Sequence, residues 1–382
     1  MTSAVPASSM PTSTSTRTLG NFDFRHNSLN ALRLVLAVLV IVSHTWPIGG
    51  FGSDPRWGDF TIGTWAVAGF FAISGWLIMG SRLASPLGTY LWRRFLRIYP
   101  AFLVCLGVVG FAFAPLGAAL GGGSAGLLDG LRYVAGNSLL VMAQPRIGGT
   151  PIGLPYPDSW NGSLWTLFYE VLCYVMVGLI VSMVSRRLVA AAMVVGLFGL
   201  SIAELAIGAG LPAPYGLHLL TMLAPFFFAG SLLFLYRDRI PFSLPLAGLS
   251  VAACLAIALT GINGVLLAVP LAYLLLWLGD RLPLQSVGAR NDISYGIYIY
   301  AFPVQQILAL LDVQRAGPAV FALTAVAATV PLAALSWFAV ERPARRLSRV
   351  LRRERAQGDG ETAGRRAPVT RSPGTSGSTL AK

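Results

Sequence analysis

LNALRLVLAVLVIVSHTWPIG, Leu29 to Gly49, is the stretch whose reading decides the fold. As a helix rising 1.5 Å per residue it spans the ~30 Å hydrocarbon core of a bilayer. Comparable apolar segments recur at about 63–80, 99–117, 160–184, 188–208, 216–236, 244–260, 262–279, 293–311 and 317–339. The chain is 55% hydrophobic and only 11% charged, with mean hydropathy +0.68. A soluble domain carries about 25% charged residues. There is too little charge here to cover a water-facing surface, so a soluble fold is excluded. The expected class is an all-α polytopic membrane protein of about ten transmembrane helices.

Charge sets the expected orientation. The formal net charge of +13 comes almost wholly from arginine. With the N-terminus cytoplasmic, Arg82, Arg93, Arg94, Arg97, Arg186, Arg187, Arg237, Arg239, Arg281 and Arg290 fall on the inside. The arginines from Arg342 to Arg371 fall there too, and only Arg56, Arg132, Arg146 and Arg315 fall outside. That is the positive-inside pattern, which accounts for the basicity without nucleic acid. Residues 124–143, with Asp129 and Arg132, would reverse every later loop if they crossed. They are expected as an outer-side or re-entrant segment of a Gly/Pro-rich loop running to about Ser159. Residues 1–27 read as a disordered cytoplasmic tail and 28–341 as the membrane domain. Residues 342–382 read as a basic, then disordered, cytoplasmic tail. The three cysteines have no CxxC or His-rich neighbour, so neither a disulfide framework nor a metal site is suggested.

Three groups of residues carry the chemistry. Arg33 and His44 are eleven residues apart, which on a helix is three turns plus roughly 20°, so they share a face about 16 Å apart. A neutral imidazole can accept a hydroxyl proton; a guanidinium cannot act as a base but can hold an anion. The plainer readings are an interfacial histidine and a snorkelling arginine. Glu170 lies near mid-membrane and needs a partner, for which Arg33 and His44 are the candidates. A structural ion pair is the plainer alternative. Asn161, Ser163 and Trp165 precede Glu170 at the outer mouth and, with Ser74, are expected on the substrate side. Arg93, Arg94 and Arg97 are explained by topology alone. Arg94 and Arg97 at i, i+3 also suit a phosphate clamp for a cytosolic donor such as acyl-coenzyme A.

Taken together, Arg33-x10-His44, Phe70-Phe71-x-x-Ser74-Gly75, Arg94-x-x-Arg97, Ser163-Leu164-Trp165-x-Leu167-x-x-Glu170, the SYGxY run at Ser294 and the ERP at Glu341 resemble the acyltransferase-3 family of membrane O-acyltransferases. The resemblance spans about Asn27 to Arg346. It implies transfer of an acyl group, commonly acetyl, from cytosolic acyl-coenzyme A to a hydroxyl of a carbohydrate such as an exopolysaccharide, O-antigen or glycolipid. His44 would be the catalytic histidine and Arg94 and Arg97 the donor-binding pair. Acyl-coenzyme A would be a co-substrate, with no permanently bound cofactor. The location would be the bacterial cytoplasmic membrane, alongside polysaccharide-biosynthesis partners. Ala68 and Ala301 depart from the family pattern, standing where many members have Asp and His. The alternative class is a proton-coupled transporter or flippase of a saccharide or lipid-linked substrate, to which buried Arg, His and Glu are equally suited.

Overall fold

The computed structural model describes residues 17–261 and 264–347. The expected tail residues 1–16 and 348–382 lie outside the described residues. Among the described residues, eight helical stretches are long and apolar enough to cross a bilayer. They include α1 (Leu29–Gly49), α2 (Ile62–Leu83) and a continuous run through α3 (Leu87–Val108), a π turn (Val109–Phe113) and α4 (Ala114–Gly121). After the short α5 (Leu127–Asn137) come α6 (Trp165–Met183), α7 (Val189–Gly208) and α8 (Tyr215–Leu235). Two further helices of 17 residues each, α9 (Leu244–Thr260) and α11 (Ser294–Leu310), sit at the lower limit for a span. Between them lies α10 (Ala268–Arg281), and α12 (Pro318–Ser336) runs on through a second π turn (Trp337–Glu341). Ten crossings return the chain to its starting end. Arg17 there pairs with Asp280 at 2.8 Å, and Arg345 lies 3.8 Å from Asp292 beside Arg33. We call this arginine-rich end the inner end.

Helices α2 and α8 meet backbone to backbone. A Cβ on Gly75 would lie 2.0 Å from the Phe227 carbonyl oxygen, and one on Gly230 would lie 2.0 Å from that of Ala72. Only glycine permits this approach, which replaces the missing hydrophobic drive between helices in lipid with close van der Waals contact. Helix α11 is buried from Ser294 to Gln306 and forms the centre of the bundle. Its outer half is tied down by amides: Gln305 donates to the Ile41 carbonyl at 3.0 Å, and Gln306 to Ser159 at 2.6 Å.

The segment expected not to cross is indeed short and amphipathic. Helix α5 runs back beside the long α3 helix, with Gly130 packed on Gly110. The chain then descends until Leu140 shares a cavity with Ile98 and Tyr99. Asn137 closes the turn through two hydrogen bonds with the Gln144 backbone.

The expected disordered tail needs a correction from residue 17 onward. Leu19 and Phe22 are buried, Leu19 N–H donates to Ile240 at 3.0 Å, and Phe24 stacks on Trp76 at 5.9 Å. Three apolar side chains within six residues give this strap something to bury, which the Ser/Thr/Pro-rich residues before it lack.

Candidate active site

At the inner end a cavity of about 450 Å³ is lined by Arg33, Arg97, Arg290, Arg342, Arg345 and Arg346, with Asp292 as its acid. Asp292 precedes α11. It accepts from Arg33 Nη1 at 2.7 Å and from Ser294 Oγ at 2.6 Å, with Arg97 at 3.7 Å and Arg345 at 3.8 Å. Burial pushes this carboxyl up, but the surrounding guanidiniums and the Ser294 hydroxyl hold it well below the usual carboxylate range. One carboxylate therefore fixes several arginines in place without neutralising the chamber. The π turn adds Trp337, whose indole donates to Asn291 at 3.0 Å and whose ring carries Arg345 at 4.7 Å. Such a chamber suits a ligand with several phosphates.

Arg94 and Arg97 of α3, grouped by their spacing in the sequence, line different cavities. Arg97 faces the chamber, whereas Arg94 lines a separate apolar cavity with Phe95, Tyr99 and Tyr174 and reaches Ser81 at 3.3 Å. Arg93 donates to Ser85 at 3.0 Å. An i, i+3 pair is still offset by about 60° around a helix, enough to separate two neighbouring cavities.

Above the chamber is a small cavity of about 30 Å³ lined by Arg33, Val67, Phe70, Phe71, Thr166, Glu170, Tyr295 and Tyr298. Glu170 reaches it from α6, but its partners are not Arg33 or His44. Ser74 Oγ donates to it at 2.9 Å and Tyr174 Oη at 2.5 Å. Arg33 is taken by Asp292 instead. Ser74, expected on the substrate side, is thus occupied with Glu170.

The outer cavity, about 80 Å³, is lined by His44, Thr64, Val67, Ser163, Trp165, Thr166 and Tyr298, among others. The His44 ring stands edge-on to Phe302 at 5.3 Å, and its Nδ1 lies 3.7 Å from Asp54 Oδ1. Ser163 Oγ is buried with no hydrogen-bond partner, while the Ser163 carbonyl accepts from Tyr298 Oη at 2.9 Å and Thr166 Oγ1 at 3.2 Å. The structure therefore brings Ser163 and Trp165 to His44. Asn161 is not in the lining; its amide donates to the Ile299 carbonyl at 2.8 Å and anchors the loop to α11. The three cavities adjoin. Arg33 is common to the first two, and Val67, Thr166 and Tyr298 to the last two.

Residues 26–338 match the family described as acyltransferase domain, Acyl_transf_3. The chain belongs to the acyltransferase-3 family. It is similar to the O-acetyl transferase of Shigella phage Sf6, at 29% identity over 83% of this chain and 96% of that protein. It is also similar to nodulation protein 10 of Rhizobium leguminosarum bv. viciae, at 28% identity over 84% of this chain and 94% of that one. No solved structure matches. This acyltransferase is a multi-pass membrane enzyme of the O-acyl transfer class. Sequence reasoning gave no role to Asp292 or Asp54, and took Tyr298 only as the end of the SYGxY run. Asp292 stands two residues before that run, yet only the fold reveals its three arginine neighbours. Asp54 lies in an outer loop with no motif to mark it.

Proposed function

We propose that this acyltransferase moves an acetyl group from cytosolic acetyl-coenzyme A, through its own interior, to a carbohydrate hydroxyl presented at the outer face of a bacterial cytoplasmic membrane. The observation that carries this reading is the succession of three adjoining cavities between Arg97 and His44. The arginine chamber holds the nucleotide phosphates, with Arg97, Arg290, Arg342 and Arg346 as their partners. The pantetheine arm reaches past Arg33 and Glu170, and the side chains around the 30 Å³ cavity there part to admit it. Arg33 and His44, about 16 Å apart along α1, set the distance it has to cover. His44 takes the proton of the acceptor hydroxyl as its oxygen attacks the thioester carbonyl. The carbon–sulfur bond breaks, and the imidazolium returns the proton to the departing thiolate. Unpartnered Ser163 Oγ supplies a hydrogen bond to the acceptor or to the developing oxyanion. Glu170, held by Ser74 and Tyr174, orients the arm's amides.

The test uses purified enzyme in sealed proteoliposomes, with radiolabelled acetyl-coenzyme A on one side and glycan on the other. Acetylated glycan is expected only when donor faces the arginine-rich end, with coenzyme A retained on that side. Transfer that requires donor and acceptor on the same side sinks the through-membrane route. Transport of intact glycan without acetylation sinks the enzymatic reading for this substrate class.

A further inference from the structure

We infer that Asp54 is the positioning residue of His44, holding Nδ1 as the donor so that Nε2 is left free as the base. This rests on the reading of His44 as general base.

The geometry begins with two consecutive side chains at the outer end of α1 that converge on one oxygen. Ser43 Oγ donates to Asp54 Oδ1 at 2.8 Å, and His44 Nδ1 lies 3.7 Å from the same atom. Asp54 belongs to the loop leading into a small hairpin in which Arg56–Trp57 pairs with Phe60–Thr61. The hairpin is closed by Ile62 N–H donating to the Pro55 carbonyl at 2.9 Å. At its foot a Cβ on Gly63 would come 3.0 Å from Ser43 Oγ, so the glycine leaves room for a close seat beside Ser43. The loop is therefore built onto the end of α1.

Burial pushes the Asp54 carboxyl up, but the His44 ring at 3.7 Å and the hydrogen bond from Ser43 outweigh this and hold it below its ordinary value. It is an anion at neutral pH. An anion beside Nδ1 selects the Nδ1–H tautomer and stabilises the imidazolium formed when the base takes a proton. The other charged or titratable groups around the pair are Arg56 of the hairpin, Tyr156 and Asp158 of the outer loop, and Tyr298 across the cavity.

Asp54→Asn keeps the shape and removes the charge. We expect kcat to fall on the order of 10²-fold or more with the donor KM unchanged, and Asp54→Glu to recover part of the loss. A variant with wild-type kcat, or one whose loss Asp54→Glu does nothing to recover, overturns the inference. A readout on the wild-type enzyme does not depend on any variant folding. The chain has three histidines, His26, His44 and His218, so ¹⁵N-histidine spectra can be assigned by single substitutions. A neutral His44 protonated on Nδ1 is the expected result, and one protonated on Nε2 overturns it. His44→Ala is run in parallel. Surviving activity there rejects the general-base reading itself. A dead His44→Ala beside a normal Asp54→Asn rejects only the role of Asp54.

Discussion

The two ends of α1 have opposite designs. At Arg33 the helix enters a wide chamber crowded with like charge, where Asp292 holds Arg33, Arg97 and Arg345 at fixed positions. At His44 it borders a small cavity with one unpartnered hydroxyl and a single carboxylate behind the imidazole. The first is suited to gripping a substrate far from its reacting atoms, the second to acting on those atoms. Binding energy gathered at a remote group can be spent on orientation where bonds change. A helix with both ends so equipped lets one ligand reach from one to the other.

The sharpest way to break this contrast is His44→Ala. Turnover should fall by about 10²–10⁴-fold, with unchanged abundance and donor KM, as measured by radiolabelled acetyl transfer in membranes. Retained turnover would erase the division between the ends. Next in size is Asp292→Ala, which leaves the buried Arg33 and the half-buried Arg97 and Arg345 without their carboxylate. It should cost about 3–5 kcal/mol, read as a lowered melting temperature in detergent, because breaking a buried pair strands the other charge. An unshifted melt would mean the chamber does not depend on its acid. A third comparison separates α3's arginines. Arg97→Gln should raise the donor KM about tenfold, since hydrogen bonds to charged groups contribute about 1.5–3 kcal/mol. Arg94→Gln should raise it less, because its side chain lines the other cavity. Equal effects would restore the paired clamp that the sequence suggested. The smallest effect belongs to Ser163→Ala. A kcat loss of about 3–10-fold is expected from the removal of one net hydrogen bond, and none at all would leave the buried hydroxyl without a chemical role.

The helical architecture was legible because a membrane span writes itself into the chain as about 20 apolar residues. The Arg33–His44 spacing was legible for a related reason: one helix fixes both depth and azimuth. Tertiary partners were not. Glu170 was assigned to Arg33 or His44 by depth alone, yet Ser74 and Tyr174 hold it and Asp292 takes Arg33. Asp292 is 259 residues from Arg33, and only the packing of α11 against α1 joins them. Arg94 and Arg97 were grouped by periodicity, which specifies a helix face but not the cavities beside it. Ala68 and Ala301 are fully buried, and the carboxylate that stands by His44 is Asp54. The strap at residues 17–27 was hidden because a few apolar side chains at the edge of a polar tail carry no periodicity.

That strap also orders events during synthesis. Its anchors are the Arg237–Phe242 turn and Asp280, and the Arg17–Asp280 bond joins residues 263 positions apart. At about 5–20 residues per second, a ribosome needs roughly 13–53 s to bring Asp280 after Arg17. For that interval the strap lacks its ion-pair partner, and Leu19 lacks the Ile240 carbonyl until α8 has been made, although Trp76 is already there for Phe22 and Phe24. Its closure comes only once most of the helices have been threaded into the bilayer. A chain that stalls before α10 leaves this strap without its Arg17–Asp280 tie, held at fewer points than in the finished bundle.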